Sequence, residues 1–445
     1  MEINRNLSGS YRDVMSFLNE IQSRYPNAIS FAAGRPDDKF FNVQYQLKEL
    51  DTYVAYYAAL NNQPETDVLQ GLGQYNTTKG IISGILAEYL HNDENVTVAP
   101  EEIIVTVGAQ EAFAITIKTI CNADTDVILV EDPCYIGVTD FAKLSGIEVC
   151  GVRMTPNGID LADLETKLQI IAASKKKAKL LYLMPNFQNP TSSCMPEAHK
   201  AVLLTIAEKY DFLIVEDAAY NMFPYHDRPV ISLKSMDEFN RVIYIGSFSK
   251  SLFPGLRLGV LVATQYIDND NGKRLRLADE MAKVKAILTV NTPTINQAVL
   301  GGVLLKNGCS LASMNKIKRE AYKVKRDAML DALHSHLGHL DETDPLKRIS
   351  WSRPEGGFFL AVQLPFTITE DHIITCARDF SVLICPMSFF YLNEGGEKEI
   401  RLTFASLSAA QISKGVQQLS AFLKLAASKV CKKNNVPEPG IQHQS

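Results

Sequence analysis

One lysine stands where an ammonium group is out of place. Lys250 closes the strand-like run "RVIYIGSFSK", which is apolar enough to lie inside a sheet, and "SLFPGLRLG" follows it. A lysine at a strand end in an apolar cleft loses its proton more easily, which is what Schiff-base chemistry with a carbonyl requires. Ser247 and Ser249 beside it, with Arg257 beyond, would form an anion site.

Three further stretches carry chemistry-bearing residues in similar settings. "VTVGAQEAF" is a strand, a glycine and a helix start, and the backbone N–H groups at Ala109 and Gln110 after Gly108 would suit a phosphate. "IVEDAAY" sets Glu216 and Asp217 at the end of an apolar strand with Tyr220 three residues on, and a buried carboxylate there needs a cationic partner. "LMPNFQNPTS" is a strand running into a double-Asn, Pro-rich turn. Each has a structural reading of its own: a βα turn that needs a glycine, a helix-capping aspartate, an ordinary turn. All of them in this order, at the ends of one sheet, are much harder to explain that way.

The elements that must position these residues are legible between about 100 and 265. Seven β-branched runs, "EIIVTVG", "DVILVED", "IEVCGVRM", "KLLYLMPN", "FLIVEDAA", "RVIYIGSFS" and "RLGVLVAT", alternate with helical segments such as "AFAITIKTIC" and "EAHKAVLLTIAEKYD". Near-continuous apolar strands separated by helices predict an α/β fold with a mostly parallel seven-stranded sheet covered on both faces. Ligands of such sheets bind at the carboxyl ends of the strands. A long helical stretch over 278–305 and a charged helix, "MNKIKREAYKVKRDAMLDALHSHL", lead into a smaller C-terminal α/β domain holding "GGFFLAVQL", "FSVLICP" and "EIRLTFAS". The expected division is an N-terminal arm over 1–45, a large domain over 46–305, a small domain over 306–431 and a disordered tail over 432–445.

Composition bounds the function class. The chain has 445 residues, 46% of them hydrophobic, and a formal net charge of -5, a balance that argues against a general nucleic-acid binder. "SKKKAK" and "KKNN" read as solvated faces. No apolar run reaches the roughly 20 residues of a membrane span, and the N-terminus lacks a signal peptide's apolar core. Eight scattered cysteines without a CxxC pair imply reduced thiols in a cytoplasmic protein, and no metal site.

On "SFSKxxxPGLRLG", "EDPxY", "PNxQNPT" and "VEDxxY", the chain resembles the class I/II aminotransferases of the fold-type I pyridoxal-phosphate family, most closely the kynurenine/2-aminoadipate and aromatic subgroup. The resemblance runs from "FAAGRPDD" to "RLTFAS". It implies pyridoxal 5'-phosphate as cofactor, an amino acid and a 2-oxo acid as substrates, and a homodimer with shared active sites. By the same resemblance Lys250 would hold the cofactor as an internal aldimine and move the substrate Cα proton. Asp217 would pair with the pyridinium nitrogen, and Tyr220 and Asn189 with the ring hydroxyl. Tyr135 would stack on the ring. Gly108, Ala109, Gln110, Ser247, Ser249 and Arg257 would hold the phosphate. Arg401 would clamp the substrate α-carboxylate, Gly34 would line the substrate site, and Tyr75 would reach the neighbouring subunit's cofactor.

The chain departs from the family pattern at Ser192, where glycine is usual after "NPT", and in "CPMSFFY", which replaces a Pro-Gly turn. Both put the substrate class in doubt, and leave cofactor binding intact. The competing readings are a lyase or oxidase on the same scaffold and a transcription regulator. The regulator would carry a DNA-binding module ahead of "FAAGRP", where thirty residues stand.

Overall fold

A computed structural model of the chain describes residues 6–7, 14–268 and 271–434. The described residues divide into two compact units, one built from 35–321 with 355–357 and the other from 14–34, 322–354 and 358–434. Residues 435–445 of the expected tail, and most of the first thirteen, lie outside the described residues.

The first unit is organised by one sheet of eight strands: β1 (Ile103–Thr106), β2 (Asp126–Asp132), β3 (Glu148–Thr155), β4 (Gly158–Ile159), β5 (Lys177–Leu183), β6 (Leu213–Asp217), β7 (Val242–Ser247) and β8 (Gly259–Val262). Their order across the sheet is β1-β8-β7-β6-β5-β2-β3-β4. All seven expected strands are present. The eighth, β4, is a two-residue antiparallel return after β3, too short to leave a periodic trace. The five central strands β3, β2, β5, β6 and β7 run parallel, while β8 is antiparallel to both neighbours, so the sheet is mixed at that edge.

Side-chain alternation along the strands divides the core between two faces. Leu181, Leu183 and Ile214 join Leu203 and Ala207 of helix Glu197–Tyr210 and Leu164 and Leu168 of helix Leu161–Ala173. The residues between them, Leu180 and Tyr182, face Phe113 and Ile117 of helix Ala109–Ile120. A third helical layer, from helices Val43–Asn61, Ser83–Glu94 and Thr294–Lys306, packs with β1 and β8 in a separate cluster.

The chain leaves β2 for β3 on one side and returns to β5 on the other, so the strand order reverses between β2 and β5. That reversal opens a crevice at the carboxyl ends of the strands, the usual ligand position in such sheets. The expected helix over 278–305 is two helices, Leu277–Thr289 and Thr294–Lys306. Pro293 precedes the second; a proline inside a continuous helix would have removed a hydrogen bond and clashed with the preceding turn.

The second unit holds a four-stranded antiparallel sheet in the order Ser350–Trp351, Phe359–Gln363, Glu399–Thr403, Cys385–Pro386. Strand Ile29–Ser30 pairs in parallel with Val382–Leu383. Helix Ala409–Asn434 runs three residues past the expected end of the small domain at 431. Helix Ala312–Leu337 spans the division between the units, sixteen residues beyond the boundary expected at 305.

Candidate active site

Lys250 sits on a single helical turn, Phe248–Ser251, directly after β7. Ser247 caps that turn, its hydroxyl accepting from the Ser249 amide at 3.3 Å. The Lys250 Nζ lies 5.9 Å from the centroid of the Tyr220 ring. The segment then turns back through Pro254–Leu256, and Arg257 takes the left-handed conformation at φ 51°.

Arg257 ties two strand-end turns together. Its Nη1 donates to the Ser249 hydroxyl and to the Pro254 carbonyl, both at 3.3 Å, and its Nη2 donates to the Val107 carbonyl at 3.4 Å. A Cβ on Gly108 would stand 2.6 Å from that same Nη2, and Gly108 has φ +77°, so both space and backbone call for glycine. Helix Ala109–Ile120 begins at the next residue, which leaves its first N–H groups free for an acceptor beside a guanidinium.

Tyr135 precedes helix Ile136–Leu144 and donates from its hydroxyl to Gln110 Oε1 at 3.4 Å. Gln110 in turn donates to the Gly137 carbonyl at 2.8 Å, so the Tyr135 ring is steadied from the helix above it. Asp217, at the end of β6, is buried and accepts from the Tyr182 hydroxyl at 2.9 Å and the Ala219 amide at 3.1 Å. Burial pushes its carboxyl up to about 6, opposed by those two donors and by the Lys250 charge. Its neighbour Glu216 is satisfied elsewhere, by the Ser232 hydroxyl and the Leu233 and Lys234 amides.

Asn189 is buried in the loop after β5. Gln188 fastens that loop across the crevice: it donates to Glu131 Oε2 at 3.1 Å and the Pro133 carbonyl at 2.9 Å, and accepts from the Thr191 amide and hydroxyl. Ser192 adopts φ +59°, the region a glycine there would favour, and its amide donates back to the Gln188 carbonyl at 2.5 Å. Tyr75 stands apart on the chain between helices Glu65–Gly71 and Ser83–Glu94, 82% exposed.

Gly34 and Arg401 belong to the second unit. Arg401 is buried on strand Glu399–Thr403, opposite Ala361 and Cys385 in register, and donates to the Ala32 carbonyl at 2.5 Å. Its guanidinium lies 4.3 Å from the Phe359 ring centroid and 4.5 Å from that of Phe390. Gly34 abuts the same Phe359 ring. Tyr182 and Gln188 carry no distinguishing signal in the sequence alone. Tyr182 is the one hydroxyl in "KLLYLMPN", and its register opposite Val215 brings it within reach of Asp217 two residues on.

Residues 62–419 match the family model for aminotransferase class I and II. The chain belongs to the class I and II aminotransferases. A (S)-3,5-dihydroxyphenylglycine transaminase from Amycolatopsis orientalis is 39% identical over 92% of this chain and 91% of its own length. An aromatic-amino-acid aminotransferase from Thermococcus litoralis is 31% identical over 89% and 88%. Among solved structures, an alpha-aminoadipate aminotransferase from Thermus thermophilus, complexed with N-(5'-phosphopyridoxyl)-L-leucine, superposes with a TM-score of 0.76 at 26% identity and covers 96% of this chain and 98% of that one. This aminotransferase therefore uses pyridoxal phosphate to transfer the amino group of an amino acid to a 2-oxo acid. Its own residues fit the cofactor: a lysine for the aldehyde, a buried carboxylate for the ring nitrogen, and a helix start with an arginine and a serine for the phosphate. Among the described residues no helix is long and apolar enough to cross a membrane.

Proposed function

We propose that this aminotransferase prefers amino donors with an aromatic side chain. The observation that carries the reading is the setting of Arg401, a buried guanidinium flanked by Phe359 and Phe390. A planar fork binds a carboxylate in bidentate fashion, and two phenyl rings beside it offer an apolar wall to the rest of the substrate. The names of the two relatives, a dihydroxyphenylglycine transaminase and an aromatic-amino-acid aminotransferase, point to the same class.

Pyridoxal phosphate supplies an aldehyde that bonds covalently to amines and a ring that accepts the electrons left at the substrate α-carbon. Lys250 Nζ would hold the group and move the α-proton. The Asp217 carboxylate, oriented by the Tyr182 hydroxyl, would keep the ring nitrogen protonated. Tyr220 and Asn189 would hydrogen-bond the ring hydroxyl, and Tyr135 would pack on the ring. The Ala109 and Gln110 amides after Gly108, with Ser247, Ser249 and Arg257, would hold the phosphate. Arg401 would hold the substrate carboxylate, and Gly34 would let the backbone come close to the substrate.

The enzyme works as a homodimer in the cytoplasm, with Tyr75 reaching the partner's cofactor. Tyr75, Leu60, Ile287 and Ile295 are large apolar side chains left exposed on a single copy, which a second copy would cover. The substrate reading is tested by titrating the purified holoprotein with a panel of amino acids while following the long-wavelength absorbance of the bound cofactor. Aromatic donors should discharge it with the highest second-order rate constant. An acidic donor such as 2-aminoadipate reacting faster than every aromatic one would overturn the preference.

A further inference from the structure

Four buried polar side chains of the first unit form one continuous hydrogen-bonded line. Lys200 Nζ donates to Asn186 Oδ1 at 2.7 Å and to the Ile231 carbonyl at 2.6 Å. Asn186 Nδ2 donates to Asn221 Oδ1 at 3.2 Å, and Asn221 Nδ2 donates to Glu94 Oε2 at 2.9 Å. Their exposures are 2% for Lys200, 2% for Asn186, 6% for Asn221 and 4% for Glu94. Burying four such groups is costly unless each finds a partner. Here every link runs the same way, donor to acceptor from Lys200 to Glu94, so the dipoles reinforce one another.

The members come from four separate segments. Lys200 is on helix Glu197–Tyr210 and Glu94 ends helix Ser83–Glu94. Asn186 lies three residues before Asn189 in the loop after β5. Asn221 directly follows Tyr220. We propose that this chain, anchored at Glu94, positions Tyr220 and Asn189 for the cofactor's ring hydroxyl. The proposal rests on the assignment of those two residues to that hydroxyl.

Glu94 is enclosed by Tyr89 and Asp93 of its own helix, by Tyr244 of β7, by Glu216 of β6 and by Asn221. Burial first, then the Glu216 and Asp93 charges, push its carboxyl up to about 8, while the Asn221 and Tyr244 donors hold it down. At neutral pH Glu94 is accordingly a neutral acid that accepts from Asn221. Above that value it becomes a buried carboxylate beside Glu216, and the line from Asn221 to Asn186 must readjust.

Glu94→Gln, Glu94→Leu, Asn221→Ser and Tyr220→Phe holoenzymes test this, read by kcat, KM for the amino donor, and the pH midpoint of the bound cofactor's absorbance. The parent's kcat should fall as pH rises through about 8, where Glu94 ionises. Glu94→Gln keeps a neutral acceptor, so its kcat at neutral pH should stay within about twofold of the parent and that fall should be absent. Glu94→Leu should lower kcat about tenfold with KM little changed, the scale of one orphaned buried donor. It should also move the absorbance midpoint in the same direction as Tyr220→Phe. Asn221→Ser gives the same readings if Glu94→Leu fails to fold. A midpoint that moves with Tyr220→Phe but with neither Glu94→Leu nor Asn221→Ser overturns the positioning role alone. A midpoint unmoved by Tyr220→Phe overturns the assignment of Tyr220 and the positioning role with it.

Discussion

Burial raises the Asp217 carboxyl from 3.8 to about 6, while Tyr182, the Ala219 amide and Lys250 pull it back. For a raised acid, the contribution to folding stability is whole below the unfolded value and is lost as pH rises through the folded one. Cofactor binding runs the opposite way, because a protonated ring nitrogen needs the ionised carboxylate. Reconstitution of the apoprotein with pyridoxal phosphate should therefore tighten as pH rises, with a midpoint about 6, and Asp217→Asn should lose that dependence. Breaking a buried pair costs about 3–5 kcal/mol, so Asp217→Ala should lose roughly two to four orders of magnitude in turnover. Steady-state rates close to the parent would remove Asp217 from the mechanism. Tyr182→Phe removes a donor to the charged form and should shift the binding midpoint upward.

Two helices of the first unit approach so closely that only a glycine fits at their crossing. Helices Val43–Asn61 and Thr294–Lys306 meet at Gly302, where a Cβ would fall 1.7 Å from the Glu49 carbonyl oxygen. The obstacle is backbone, so the helices must separate. Gly302→Ala should destabilise the protein by about 3 kcal/mol, at the upper end of overpacking, seen as a drop in Tm; an unchanged Tm would mean the two helices give way freely. At this scale the sequence was legible where an element has its own period. The seven strands and the residues at their carboxyl ends could be read from apolar runs broken by glycine, proline and asparagine. What could not be read depends on pairing across distance. Tyr182 looks like one more core residue until β5 is set beside β6. Glu94 lies in "HNDENV", polar at every position but the last, yet it is buried. The stretch over 278–305 reads as one helix because the periodic pattern on either side of Pro293 outweighs a single proline, yet the helices stop at Thr289 and restart at Thr294.

At the scale of the whole molecule, the proposed sharing of sites makes two inactive chains able to help each other. A heterodimer of Lys250→Ala and Tyr75→Ala chains would carry both lesions in one site and neither in the other. Mixed and re-equilibrated chains should recover part of the parent activity, while each variant alone stays inactive; a fully active monomer by light scattering would refute the shared site. Beneath all of this lies one claim, that the intact enzyme holds its cofactor through Lys250. Borohydride reduction of the holoprotein followed by digestion and peptide mass mapping tests it directly. A phosphopyridoxyl mass should appear on the peptide containing Lys250 and on no other; a label on a different lysine, with Lys250 unmodified, would contradict that attachment.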